Sequence, residues 1–271
     1  MSSAQVTGTA RTTLAIVEDI RSHRTLVDLG ADDFIVQEGN EPREILSVRP
    51  ADYPVVVMID TGVSEADLPL VQKAARRFVE RLGSGRPVAL GTYGTYGGPA
   101  RMIAGFDADR VESLQKLDAL SEATSSGSIQ QAAGRAAEAL ASTGAMFSSI
   151  VVLSGDHHDE PASSEHTERF DATPSVIASG AMLYVVAMRP PANQPRQSNE
   201  VELLRTVAEQ TRGQFISIYN AASFDAALDQ ISRRMASELM IEYLVPNHSK
   251  AADVQLGVRV PGARVRGLGV R

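Results

Sequence analysis

Two short stretches gather the residue types that could do chemistry. The first is Asp60, Thr61, Gly62, Val63 and Ser64, a carboxylate and two hydroxyls that follow the apolar run Val55 to Ile59. The second is Ser154, Gly155, Asp156, His157, His158, Asp159 and Glu160, which follows the apolar run Ile150 to Leu153. Imidazole beside carboxylate can hold a metal that activates water, so Asp156, His157 and His158 are candidates for a metal hydrolase. Asp60 and Ser64 have two readings on residue type alone. They face a ligand, or they do local work, with Asp60 capping its turn and Ser64 serving as N-cap of the helix that follows. Other chemistries are excluded. The chain has no cysteine, which removes disulfides, thiolate catalysis and cysteine-ligated zinc. It also has neither a Gly-x-Ser-x-Gly elbow nor a His-Glu-x-x-His motif.

The elements that must position these residues follow from periodicity. A short apolar run ending in a small polar loop, with a long helical pattern after it, is how a buried parallel strand reads. The run from Pro54 to Asp60 is such a strand. From Glu65 to Leu82, the residues Leu68, Val71, Ala75, Phe78, Val79 and Leu82 recur at spacings of three and four, and the pattern stops at Gly83-Ser84-Gly85. Further strands are expected at 87–93, 149–153, 181–188 and 213–219. Helices are expected at 107–120, with Asp107 as N-cap and Val111, Leu114 and Leu117 buried, and at 129–142, 173–180, 200–211 and 224–238. Strands alternating with helices of this length imply an α/β domain with a mostly parallel sheet and helices on both faces. In such sheets ligands bind at the carboxyl ends of the strands, where Asp60 and Ser64 fall. The glycines of 94–98 match neither the P-loop nor the Rossmann spacing and read as a hairpin turn into 100–106.

Both ends of the chain change character. Residues 12–49 contain short β-prone runs and no helical pattern, with a hairpin turn at Glu38-Gly39-Asn40. The tail alternates with period two over 239–245, 253–260 and 263–270, as antiparallel strands with one wet face do. The simplest organisation is an α/β domain over 51–240 and one small antiparallel annex, built from two to four strands of 1–50 and from the strands of 241–271.

The 271 residues, 43% apolar and 22% charged, are ordinary for a globular chain. A net charge of -7 without a basic face argues against nucleic acid. No apolar run reaches the roughly 20 residues that a membrane helix needs, and the N-terminal residues lack the pattern of a signal peptide.

Several motifs in order carry a family resemblance. These are Leu29 to Gly39 with the acid-phenylalanine pair Asp33-Phe34 and the turn Glu38-Gly39, then Leu204 to Phe215, then Ile241 to Pro246 after the last helix. The chain resembles the von Willebrand factor A domain, in a bacterial branch with strands flanking the domain on both sides. That resemblance implies a metal-ion-dependent adhesion site: an Asp, two Ser two and four residues after it, a Thr on a second loop and an Asp on a third. One position is left for a partner's carboxylate. The hard-oxygen donor set suits Mg²⁺. Asp60 and Ser64 match the first and third positions, Ser128 stands for the threonine and Asp156 for the last acid. Gly62 replaces the first serine, and Gly155 occupies the place of the acid, with Asp156 one residue late. The resemblance therefore implies a protein-binding module with a degenerate site, exported or at the cell surface.

Two other readings belong to different classes. Asp156-His157-His158 is similar to the signature of DHH-type phosphoesterases, although that family's upstream Asp and His motifs are missing. The third is a structural spacer or assembly unit, with homodimerisation through an exposed edge of the annex.

Overall fold

A computed structural model describes residues 8–94, 99–121, 128–155, 171–189, 199–247 and 253–270. The chain begins with β1 (Gly8–Asp19), β2 (Thr25–Leu26), β3 (Phe34–Glu38), β4 (Glu41–Arg43) and β5 (Ile45–Pro50). It continues through β6 (Val55–Asp60), α1 (Leu68–Arg81), β7 (Val88–Tyr93), β8 (Arg101–Ala104), α2 (Arg110–Asp118), α3 (Ile129–Ala141) and β9 (Ser149–Ser154). Then come α4 (Thr173–Ser179), β10 (Met182–Met188), α5 (Asn199–Gln210), β11 (Gln214–Ile218) and α6 (Phe224–Ala236). The chain closes with β12 (Glu238–Pro246), β13 (Val254–Val258) and β14 (Ala263–Val270). It divides into two compact units, Met1–Ala51 with Arg233–Arg271, and Asp52–Ser232.

The larger unit is built on a sheet of order β11-β10-β9-β6-β7-β8. Its strands are parallel except β8, which runs antiparallel to β7. Every residue of β6 is buried, which requires cover on both faces. On one face Val56, Met58, Ile150, Val152, Leu183 and Val185 pack with Ala132, Ala133, Ala136 and Ala137 of α3 in a single apolar cluster. Alanine lets a helix axis approach a sheet closely, so these methyls bring α3 down onto the central strands. Helix α1 buries Leu68, Val71, Ala74, Ala75, Phe78 and Val79, the face that its periodicity marks out.

In the smaller unit N-terminal and C-terminal strands pair. β1 runs antiparallel to β12 from Gly8↔Pro246 to Ile16↔Glu238 and takes β14 on its other edge. N-terminal and C-terminal strands build the annex as expected, with more N-terminal strands than the two to four read from the sequence. Five strands come from the N-terminal segment, and the described strands form two sheets, β14-β1-β12-β5 with β2 attached, and β13-β3-β4. The reason is that a strand has two edges. Those of β1 are occupied along most of their length, and β3 finds its partners in β13 and β4. The turn between β3 and β4 has Gly39 at φ 61° and Asn40 at φ 64°, the left-handed pair that a two-residue hairpin needs. Phe34 and Val36 of one sheet and Ala15, Val17, Ile241 and Tyr243 of the other share one core.

Three boundaries move. Helix α1 starts at Leu68 rather than Glu65, after a turn in which Asp67 and Leu68 donate to the Ser64 carbonyl at 2.9 and 3.0 Å. The cap of α2 is Asp109, not Asp107. Its extended backbone lets its carboxylate accept from the amides of Val111 and Glu112 at 2.7 and 3.3 Å. Val111, expected inside, is 62% exposed, whereas Leu114 and Leu117 are buried. At about 100° per residue, Val111 lies a third of a turn away from Leu117 and off the packed face. Glu238, expected at the end of the last helix, opens β12 instead.

Candidate functional site

At the carboxyl ends of the parallel strands, the loops close on Asp60. In the sheet order β6 sits between β7 and β9. The chain leaves β6 toward β7 and leaves β9 toward β10, in opposite directions, so β6 and β9 flank the switch point where open α/β sheets bind ligands. Asp60 ends β6 and is 1% exposed. Its Oδ1 accepts the backbone N–H of Gly62 at 2.9 Å, and its Oδ2 accepts the backbone N–H of Gly155, just past β9, at 3.0 Å.

The neighbouring strand is tied in as well. Thr61 donates both its backbone N–H and its hydroxyl to the Tyr93 carbonyl, at 2.8 and 2.9 Å. The Tyr93 hydroxyl donates to the Leu153 carbonyl at 2.8 Å. Three strand ends are thereby stitched by a carboxylate, a threonine and a tyrosine. Gly94, at φ +128°, completes the packing. A Cβ there would lie 2.5 Å from the Gly62 nitrogen and 3.1 Å from Asp60 Oδ1.

The other expected site residues do local work. Ser64 is exposed; its hydroxyl donates to Asp67 Oδ2 at 2.7 Å and accepts the Asp67 N–H at 3.2 Å, fastening the turn that leads into α1. Ser128 is the N-cap of α3 and accepts from the Gln131 amide at 3.2 Å. Ser128 thus caps a helix, whereas the N-cap of α1 is Asp67 and not Ser64, whose hydroxyl fastens the turn that precedes it. Asp156, His157 and His158 lie outside the described residues. Among the described residues no group of three or more histidines and carboxylates is disposed to hold a metal ion.

Mg²⁺ takes near-octahedral oxygen coordination, usually through one or two carboxylates. Of the described candidates only Asp60 offers a carboxylate, and both of its oxygens accept amides. The two places where the adhesion motif would supply a further hydroxyl and a further acid hold Gly62 and Gly155, whose contribution is an N–H pointed at Asp60. An N–H presents positive charge. These donors complement the carboxylate as a cation would, and they do not fit a cation's coordination shell.

Sequence reasoning passed over a second feature of the same edge. Tyr219 follows β11 and is 77% exposed. Arg189 follows β10, and its guanidinium lies 5.2 Å from the Tyr219 ring centroid, with Nη1 donating to the phenol oxygen at 3.3 Å. The register Met188↔Ile218 makes the two residues neighbours. The signal was present in the strand-end rule, which applies to every parallel strand and not only to the one that ends in an acid.

No family model matches the chain and no curated protein matches it. Solved structures do. A von Willebrand factor type A protein from Catenulispora acidiphila superposes with a TM-score of 0.55 over 99% of this chain and 74% of its own, at 13% identity. The chain has the von Willebrand factor A fold. The human COPII-coat protein Sec24c aligns with a TM-score of 0.51 at 12% identity, over 81% of this chain and 43% of its own. Proximal thread matrix protein 1 from the mussel byssus aligns with a TM-score of 0.51 at 8% identity, over 68% and 48%. This chain thus spans less than half the length of those two proteins.

Proposed function

We propose that the chain is a non-catalytic protein-interaction module, whose partner docks on the loops at the carboxyl ends of β6, β9, β10 and β11. In this reading residues 51–240 form the binding domain and the flanking strands its annex. Asp60, Ser64, Ser128 and Asp156 are the remainder of an adhesion-type site, and the protein works outside the cytoplasm or at the cell surface. The observation that carries the reading is Tyr219, 77% exposed and backed by Arg189, on the edge where this fold presents its loops. Tyrosine and arginine are the residue types that most often dominate interface energetics. An aromatic ring left in water beside a guanidinium is a preorganised anchor.

The test is a photo-reactive phenylalanine analogue placed at position 219 and, separately, at Ile177, an exposed residue of α4 on the same unit. Irradiation in the source cells is expected to yield a discrete crosslinked species from position 219 and none from 177. Equal yields at the two positions, or a species from 177 alone, would refute the loop-edge reading.

A further inference from the structure

We infer that Asp60 is a latch across the switch point of the sheet and not a metal ligand, and that the loop edge is held in shape without a divalent cation. The strand-end crevice between β6 and β9 is the place where the von Willebrand factor A fold would seat its ion. Here it is bridged by the Asp60 carboxylate itself, through Gly62 N–H on one oxygen and Gly155 N–H on the other. Both donors come from residues without side chains, at the two positions where the motif would otherwise bring oxygen ligands. Hydrogen bonds to a carboxylate from backbone amides are charge-assisted, so the carboxylate is stabilised by main-chain dipoles in the way a cation would stabilise it. Gly94 adds a third constraint. Its missing Cβ lets the loop after β7 close against Gly62 and Asp60, and the site is packed by backbone where a coordination shell would need room. Ser64 and Ser128, the remaining described candidates, are fastened to Asp67 and Gln131.

The latch belongs to the free chain. Its test needs no partner, and it stands or falls apart from the interaction reading. The amide resonances of Gly62 and Gly155 are followed in the chelator-treated protein while Mg²⁺, and in a second series Mn²⁺, is added to millimolar excess. The latch predicts that both amides are protected from hydrogen exchange before any metal is added, that Mg²⁺ leaves their shifts in place, and that neither ion raises the unfolding midpoint. Asp60→Asn then puts an amide donor against a backbone donor and lowers the midpoint by about 5 °C in the presence of chelator. Removing a carboxylate from an empty metal site would instead leave the midpoint unchanged or raise it. A saturable rise of the wild-type midpoint with metal, abolished in Asp60→Asn, would overturn the inference. Unprotected Gly62 and Gly155 amides would overturn it as well, even if the variant does not fold.

Discussion

Gly155 donates its backbone N–H to Oδ2 of Asp60 at 3.0 Å, joining residues 95 positions apart. The contact ties the loop after β9 to the end of β6, and a second amide, that of Gly62, holds the other oxygen at 2.9 Å. Asp60→Ala would leave two backbone donors without their acceptor in a site from which water is largely excluded, since Asp60 is 1% exposed. An unsatisfied buried polar group costs about 1–3 kcal/mol. A loss of about 2–4 kcal/mol in a urea titration is therefore expected, against roughly 0.5 kcal/mol or less for Ser64→Ala on the exposed turn. A loss for Asp60→Ala no larger than for Ser64→Ala would show that the carboxylate holds nothing together.

Gly94→Ala tests the same closure from the opposite side. The glycine has φ +128°, and an added Cβ would sit 2.5 Å from the Gly62 nitrogen and 2.9 Å from Thr61 Oγ1. Neither obstacle is the free end of a flexible side chain. The loop must open, and overpacking of this kind typically costs about 1–3 kcal/mol. Faster hydrogen exchange at Gly62 and Gly155 should accompany the loss. An unchanged exchange rate at both amides would separate Gly94 from the latch.

In the smaller unit Glu38 is 1% exposed and sits between two guanidiniums. Arg11 pairs with its Oε1, and Arg43 places Nε 3.7 Å from its Oε2 while Nη2 donates to the Glu38 carbonyl at 3.2 Å. Removing one partner of a buried ionic group costs more than the group contributes, because the charges left behind stay poorly solvated. Arg11 and Arg43 keep 20% and 10% of their side-chain surface, so Glu38→Gln is expected to cost about 2–3 kcal/mol, short of the roughly 3–5 for a dry site. Replacing all three residues by apolar ones of similar size should restore most of that. A single substitution without measurable cost would mean that water already serves the arginines.

How much of the fold is legible in the sequence depends on which physical signal each element carries. β6 and β10 are short, continuous apolar runs and are buried at every position, and α1 is long and periodic and buries the face that its period marks out. The period-two runs of the tail became β12, β13 and β14, although β12 is buried on both faces from Glu238 to Ile241 and lacks the wet face expected there. The failures lie where the decisive group has no letter in the sequence. The amides that hold Asp60 are main-chain atoms, identical at every non-proline position, so only the three-dimensional approach of Gly62 and Gly155 selects them. The division of the annex into two sheets depends on which edges of β1 are filled, a long-range matter that local pattern does not contain. At α2, two aspartates two residues apart compete for the cap, and the backbone conformation of Asp109 decides between them.

That competition has a consequence for Val111. If the helix is capped by Asp109, Val111→Ser changes an exposed position, 62% open to solvent, and its effect on stability stays within about 0.5 kcal/mol. Leu117→Ala, by contrast, empties a fully buried position and costs about 2–5 kcal/mol. Asp109→Ala removes the acceptor of two helix amides and costs about 1 kcal/mol, while Asp107→Ala costs less. Urea midpoints of the four variants decide the register, and a larger loss for Asp107→Ala than for Asp109→Ala would return the cap to the earlier residue.

Tyr243 gives the smaller unit a predictable response to alkali. Burial, reinforced by the negative charge of Glu38, pushes its phenol above the ordinary value of 10.0, against a partial offset from Arg11 and Arg43. The sign follows from proton counting. Between the unfolded and the folded pKa the unfolded chain has lost the phenolic proton and the native chain retains it, so stability falls as pH rises. The contribution is intact below about pH 10 and is lost as pH climbs through the raised folded value. The Tyr243 hydroxyl also has no hydrogen-bond partner among the described residues, so Tyr243→Phe removes a buried polar atom that nothing satisfies. At pH 7 the variant is therefore expected to be as stable as the parent or slightly more so. Above pH 10 it should lose stability less steeply than the parent in urea titrations. Parallel pH profiles for the two proteins would show that the phenol ionises equally well folded and unfolded.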